Sequence, residues 1–309
     1  MTAGRPPVWY ESEARSWRST KVDAVAVAAR CARVRTRSIK NESKDTLLRL
    51  ALSMVDLTTL EGMDSPDKVK ALVQKAKHPF PERSDIPSCA AVCVYPNMVP
   101  FAREAIGNST VKLAAVATAF PSGLSPLPLK LEEVRQTVAM GADEIDMVID
   151  RGAFLSGRWQ QVFEEIVATK EACGPAHLKV ILETGELGTL DNIAAASRLA
   201  IAAGADFIKT STGKVQPAAT MEVTLVMFEA IREHYLATGK RIGMKPAGGI
   251  RQSKPALHYL VLLAETLGSD WMNPDLFRFG ASALVNDLLR QIVRRDEGNY
   301  PSPRRFSVD

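Results

Sequence analysis

Two lysines and an aspartate stand where short apolar runs end and loops of small residues begin. Lys209 closes Phe207-Ile208-Lys209 and leads into Thr210-Ser211-Thr212-Gly213-Lys214; Lys245 closes Ile242-Gly243-Met244-Lys245 and leads into Pro246-Ala247-Gly248-Gly249. Asp146 lies inside Glu144-Ile145-Asp146-Met147-Val148. Side chains alternate between the two faces of a strand, so Asp146 points away from Ile145 and Met147, and Lys245 points away from Met244 with Gly243 leaving room behind it. Lys209 shares a face with Phe207. If the apolar neighbours pack outward on helices, both lysines and the carboxylate converge.

A lone lysine at a strand end is ordinarily solvated, and a lone aspartate ordinarily pairs with a neighbour. Two converging lysines suggest chemistry. An amine attacks a carbonyl only without its proton, which near pH 7 means losing it about three pH units below the usual ~10.4, at about 4 kcal/mol. A second ammonium close by is expected to supply that push. The first lysine can then form a Schiff base, whose iminium draws electrons from the adjacent carbon, so that a carbon–carbon bond one position further on breaks to an enamine. Asp146, acting through a water and Lys245, is the expected general acid/base. This is aldolase chemistry, and it requires neither metal nor cofactor. The loops after the lysines carry glycines, hydroxyls and Lys214, the donors and cation that a phosphate needs.

Convergence of this kind requires a closed arrangement of parallel strands. Eight candidate strands lie near 54–57, 90–94, 112–118, 144–148, 178–182, 207–209, 242–245 and 277–280. Helical spacing separates them, in Leu131, Val134 and Val138, in Ile193, Ala196, Ala200 and Ala203, and in Val223, Val226, Met227, Ala230 and Ile231. Gly141-Ala142-Asp143 and Gly204-Ala205-Asp206 echo one another between a helix and the following strand, where glycine suits a left-handed stop. Eight strands with short connections favour a (β/α)8 TIM barrel, an α/β fold whose strand ends carry the site. An open doubly wound sheet is the alternative. The expected organisation is an N-terminal helical extension over 1–45, a barrel over 46–290 and a tail over 291–309 marked by Pro301, Ser302 and Pro303.

A chain of 309 residues, 46% hydrophobic and 24% charged, has a globular composition and rules out disorder, collagen and disulfide scaffolds. The net charge of +4 is unevenly placed: the first 50 residues hold 11 basic and 5 acidic groups. The central region is slightly acidic, which argues against a nucleic-acid-binding domain and leaves only Arg30, Arg33, Arg35 and Arg37 as a basic footprint, read as a solvated face. No apolar run approaches the ~20 residues of a membrane span. A cytoplasmic address is the default. Cys31, Cys89, Cys93 and Cys173 lack zinc-site spacing and read as buried, reduced thiols.

Several segments resemble the deoxyribose-phosphate aldolase family: Asp143-Glu144-Ile145-Asp146, Leu178-Lys179-Val180-Ile181-Leu182-Glu183-Thr184-Gly185-Glu186-Leu187, 207–214 and 243–251. The likeness extends from Asp56-Leu57-Thr58-Thr59-Leu60 through Cys93-Val94-Tyr95-Pro96 and Phe120-Pro121 to Phe277-Arg278-Phe279-Gly280-Ala281-Ser282, most of 50–290. It implies a class I aldolase on a (β/α)8 barrel that reversibly cleaves 2-deoxy-D-ribose 5-phosphate to D-glyceraldehyde 3-phosphate and acetaldehyde, in deoxyribonucleoside catabolism. By motif, Lys209 corresponds to the Schiff-base lysine, Lys245 to the lysine that tunes it and Asp146 to the acid/base. Gly213, Lys214, Gly248, Gly249 and Ser282 correspond to phosphate contacts, and Asp56 and Thr184 line the pocket. The implied partners are a phosphosugar and an aldehyde, without nucleic acid or membrane; homo-oligomers occur in such proteins.

The chain departs from many relatives at Ala283, where a second hydroxyl would stand. The stretch Val148-Ile149-Asp150-Arg151-Gly152 and the extension resemble the family's longer branch. Tyr300 is a weak counterpart of a C-terminal tyrosine that reaches the site in some relatives and is not assigned a role. Two other readings are a barrel aldolase with another donor, such as a transaldolase, and a phosphosugar-binding or assembly protein without turnover. The first would prefer dihydroxyacetone to acetaldehyde; the second would lose nothing on Lys209→Ala.

Overall fold

The structure is a computed structural model and describes residues 8–19, 21–302 and 305–307. Three helices come first: α1 (Val8–Ser19), α2 (Ala24–Arg35) and α3 (Asn41–Ser53). Strands and helices then alternate as β1 (Val55–Thr58), α4 (Pro66–Lys77), β2 (Ala91–Val94), α5 (Val99–Ile106), β3 (Lys112–Ala117), α6 (Leu127–Ala139) and β4 (Glu144–Val148). After α7 (Arg151–Leu155) and α8 (Trp159–Cys173) come β5 (His177–Ile181), α9 (Leu190–Ala202), β6 (Phe207–Lys209), α10 (Met221–Thr238), β7 (Gly243–Lys245), α11 (Ser253–Thr266), β8 (Phe279–Gly280) and α12 (Ser282–Glu297).

All pairings are parallel and each strand lies beside its neighbours in sequence, from β7 round to β1 and on to β8. Parallel bridges Met244↔Phe277 and Ala247↔Gly280 join β7 to β8. They close the ring as a (β/α)8 barrel and remove the open-sheet alternative. Register decides what can meet inside: Lys209 lies directly across from Lys245, and Asp146 across from Lys179. Parallel strands run about 4.8 Å apart, so these pairs are forced together.

The Gly-Ala-Asp echo has a structural meaning. Gly141 and Gly204 take φ of 109° and 99° just after α6 and α9, a backbone that L side chains rarely adopt. The aspartates that follow tie each new strand to the previous one, Asp143 Oδ2 accepting from Leu113 N at 2.8 Å and Asp206 Oδ2 from Leu178 N at 2.7 Å. Helix entry is fixed locally, as where Thr189 and Thr220 cap α9 and α10 by accepting from Asn192 N and Val223 N.

The basic run near the N-terminus is not a free solvated face. Arg30 NH1 pairs with Glu229 at 2.7 Å and its NH2 donates to Thr266 Oγ1; Arg35 and Arg37 pair with Glu222 and Glu265. Half-exposed pairs like these contribute at most ~1 kcal/mol each. The buried side chains Tyr10, Trp17, Cys31 and Val34 contribute more, about 1.5–3 kcal/mol for each large apolar one. Arg33 carries no pair among the described residues and stays exposed.

Helices cross the expected domain limits. α3 runs through position 45 and buries Leu48, Ala51 and Leu52, while α12 continues past 290 to Glu297 because Leu288, Leu289, Ile292 and Val293 are buried on the barrel. The tail is anchored as well: Phe306 packs on Phe80, and Ser307 O accepts from Lys75 Nζ at 3.0 Å. Pro6, Pro7 and Pro303 fall outside the described residues. Cys31, Cys89, Cys93 and Cys173 are buried, and none of them forms a disulfide among the described residues. No helix among the described residues is long and apolar enough to cross a membrane.

Candidate functional site

Inside the barrel, alternation places Asp146, Lys209 and Lys245 on the inner face, and all three are buried. Asp146 Oδ2 accepts from Lys209 Nζ at 2.7 Å and from Lys245 Nζ at 3.0 Å. Both contacts are direct, so Asp146 and Lys245 are already joined as the expected proton route requires.

The inner face holds more charge than these three residues. Lys179 Nζ pairs with Asp146 Oδ1 at 2.9 Å and Glu144 at 2.5 Å. Arg278 pairs with Glu144 at 2.9 Å and with Asp56 Oδ1 at 2.8 Å, and Asp56 Oδ2 meets Lys245 at 2.6 Å. Three carboxylates (Asp56, Glu144, Asp146) therefore face four cations (Lys179, Lys209, Lys245, Arg278). An uncompensated charge in a dry barrel is costly. One cation has to give up its proton.

Lys209 is the one that gives it up most readily. Burial lowers its pKa, Lys245 lowers it further, and Asp146 only partly opposes them. For Lys245 burial is outweighed by Asp146 and Asp56, which raise its pKa, and for Lys179 by Asp146 and Glu144. Burial would raise Asp146, but Lys179, Lys209 and Lys245 hold it well below the usual carboxylate range; Lys245 and Arg278 do the same for Asp56. Desolvation, rather than Lys245 alone, is thus the first cause of the lowered Lys209 pKa. An apolar wall of Leu60, Cys93, Ala114 and Val116, with Tyr95 and Phe120, supplies it from the opposite side. Cys93 stays a thiol, its pKa pushed up to about 11 by burial.

Gly243 makes room, though for a different group than expected. A Cβ there would lie 2.3 Å from the Phe207 ring, so glycine admits Phe207, which floors the site beneath the lysines. Asp56, expected to line the pocket, is fully buried and bound to Lys245 and Arg278, which makes it a member of the charge cluster. Lys179, Glu144 and Arg278 were missed. Period-2 alternation puts Glu144 on the face of Asp146, and that was the available signal.

A second group forms at the rim. Gly213, Gly248 and Gly249 have φ of 82°, 79° and 82°, and a Cβ on Gly248 would sit 3.4 Å from Gly213 Cα and from Ser211 Oγ. Gly248 N donates to Gly280 O, next to the start of α12 at Ser282. The Ser282 hydroxyl exchanges hydrogen bonds with Thr58 N and O at 2.8 and 2.9 Å, and Lys214 Nζ reaches Glu61 at 2.9 Å. Ala283 lies exposed in the uncapped first turn of α12, where backbone N–H groups favour an anion. Thr184 lies at the end of β5 with its buried Oγ1 lacking a partner among the described residues. Tyr300 does not reach the site; it is exposed and stacks on Arg294.

Residues 50–289 match the DeoC/LacD family aldolase pattern. The chain belongs to the DeoC/LacD aldolase family. It is 45% identical over 299 residues to the deoxyribose-phosphate aldolase of Mus musculus, covering 92% of this chain and 93% of that one. It is 46% identical over 253 residues to a putative deoxyribose-phosphate aldolase of Caenorhabditis elegans, covering 81% and 83%. The crystal structure of a putative deoxyribose-phosphate aldolase from Toxoplasma gondii superposes with a TM-score of 0.72 at 25% identity, over 84% of this chain and 97% of the other. Membership in the DeoC/LacD family agrees with the closed barrel and its buried lysines.

Proposed function

We propose that this chain is a class I deoxyribose-phosphate aldolase, reversibly cleaving 2-deoxy-D-ribose 5-phosphate to D-glyceraldehyde 3-phosphate and acetaldehyde. The observation that carries the reading is the buried Lys209 amine, its pKa lowered, bound to Asp146 beside a fully charged Lys245. In this reading Lys209 Nζ adds to the substrate's C1 aldehyde, and loss of water gives the iminium. Asp146, held as a carboxylate, takes the proton of the C3 hydroxyl, directly or by way of Lys245. The C3–O electrons close to a carbonyl, the C2–C3 bond breaks, and its electron pair forms the enamine on C1–C2. Glyceraldehyde 3-phosphate departs, the enamine takes a proton at C2, and water releases acetaldehyde and the free lysine.

The phosphate is assigned to the rim of Gly213, Lys214, Gly248, Gly249 and Ser282. The backbone N–H of Ala283 stands in for the absent second hydroxyl. Thr184 lines the pocket between the two groups. The reaction is assigned to the cytoplasm, with a phosphosugar and an aldehyde as its partners; the reading is compatible with a homo-oligomer. Arg30, Arg35 and Arg37 are already paired, which speaks against a nucleic-acid role.

Turnover of deoxyribose 5-phosphate, followed as acetaldehyde release, tests the reading. Lys209→Ala is expected to abolish it while the protein still binds the substrate. An unchanged rate would leave only phosphosugar binding, and a preference for dihydroxyacetone over acetaldehyde as donor would indicate a transaldolase.

A further inference from the structure

Glu183 sits at the end of β5 with no exposed surface and takes φ of 53°, left-handed backbone that a residue with a Cβ adopts at a cost. On either side of it the chain is fastened to β6 and its continuation, Leu182 N donating to Lys209 O at 3.0 Å and Thr184 N to Thr210 O at 2.9 Å. The turned backbone sends the Glu183 carboxylate to the loop that follows Lys209. There Oε2 accepts from Thr212 N at 3.2 Å and from the Thr212 hydroxyl, while Oε1 is buried without a partner among the described residues. Thr212 Oγ1 in turn accepts from Lys214 N at 3.0 Å. The arrangement ties down the N–H groups on both sides of Gly213 and leaves the Gly213 N–H, which has no partner among the described residues.

A second pin holds the same two loops. Gly185 lies so close to Pro217 that a Cβ would come within 2.2 Å of its carbonyl oxygen. The segment after β5 is therefore clamped to 212–217 at two points. This carboxylate stands outside the charge cluster around Asp146 and, among the described residues, bonds only to Thr212. Burial raises the pKa of Glu183, and the two bonds from Thr212 oppose that rise.

We infer that Glu183 is a positioning residue for the phosphate end of the substrate: through Thr212 it fixes the Gly213-Lys214 loop in the shape that receives the anion, with no part in the carbon–carbon chemistry at Lys209. The inference rests on the aldolase reading above, and it separates two substrates that differ only in the phosphate. Removing the brace should loosen the grip on 2-deoxyribose 5-phosphate and leave unphosphorylated 2-deoxyribose untouched.

The test compares wild type with Glu183→Ala, Glu183→Gln and Thr212→Val on both substrates. Glu183→Ala is expected to raise KM for deoxyribose 5-phosphate about 10- to 100-fold, the loss of a hydrogen bond to a charged group, while kcat/KM for deoxyribose stays within about twofold. Glu183→Gln keeps a carbonyl acceptor for Thr212 and should recover most of the loss. Thr212→Val breaks the same bond from the other side without altering the strained position, and should raise KM in the same direction if Glu183→Ala does not fold. An equal loss on both substrates, or none on either, overturns the inference. Should wild type fail to cleave deoxyribose 5-phosphate, the aldolase reading fails on its own. The inference is then decided by calorimetric titration with inorganic phosphate, weaker in Glu183→Ala if it holds and unchanged if it does not.

Discussion

Lys209 and Lys245 lie directly opposite one another on adjacent parallel strands and donate to one and the same atom, Oδ2 of Asp146. Register makes that meeting unavoidable, and the unequal share of carboxylate explains why Lys245 holds its proton more firmly than Lys209. Lys245 has a second carboxylate, Asp56, at 2.6 Å, whereas Lys209 has only the shared one.

Lys245→Met leaves three cations against three carboxylates, so Lys209 can keep its proton without leaving excess charge in the barrel. The pH–rate profile should then shift its acid limb upward by about two pH units, with kcat/KM at pH 7 falling about 100-fold. An acid limb that stays put would mean that burial alone frees the amine.

Stability should depend on the same cluster, with a definite sign. Asp146 and Asp56 have depressed pKa values, so their contribution is present above the unfolded value of ~3.9 and is lost as pH falls through their lower folded values. Lys209 acts in the same direction at higher pH: between its lowered value and ~10.4 the unfolded chain binds more protons, and stability again rises with pH. Urea midpoints measured from pH 7 to pH 3 should fall steadily below about pH 5. Midpoints that hold or rise on acidification would show that the carboxylates are not ionised in the barrel.

Gly243→Ala puts a methyl group 2.3 Å from the Phe207 ring, with β6 and β7 paired on either side and little freedom to move. Overpacking of this kind costs about 1–3 kcal/mol, several degrees in Tm. Because Phe207 floors the site, activity should fall further than stability. A double variant, Gly243→Ala with Phe207→Leu, should recover part of the Tm.

Deletion of residues 1–45 is expected to destabilise the protein. It uncovers surface now buried by Trp17, Cys31 and Val34 and leaves Glu222, Glu229 and Glu265 without their arginines. Thermal melts should drop well beyond the change produced by Arg30→Ala, which removes a half-exposed pair worth ~1 kcal/mol or less. A truncated chain melting with the full-length one would mean that the extension is a loose arm.

Much of this is legible in the chain itself, and the exceptions have a common cause. The eight strands announce themselves because each is a short apolar run between helical stretches, and alternation alone turns Asp146, Lys209 and Lys245 inward. Lys179 and Arg278 are hidden because their importance depends on which carboxylates lie across from them, and that needs register. Asp56 reads as a pocket residue in isolation, yet with Arg278 and Lys245 beside it the carboxylate is already engaged. The arginines from Arg30 to Arg37 look like a free basic face until α10 and α11 supply glutamates at matching positions.

The most direct measurement is the pH dependence of borohydride trapping with acetaldehyde, read by peptide mass. Labelling should fall on Lys209 alone, with a midpoint well below the ~10.4 of an ordinary lysine. A label on another lysine, no label on an active preparation, or an onset only near pH 10 would contradict the claim that the buried cluster keeps this amine free.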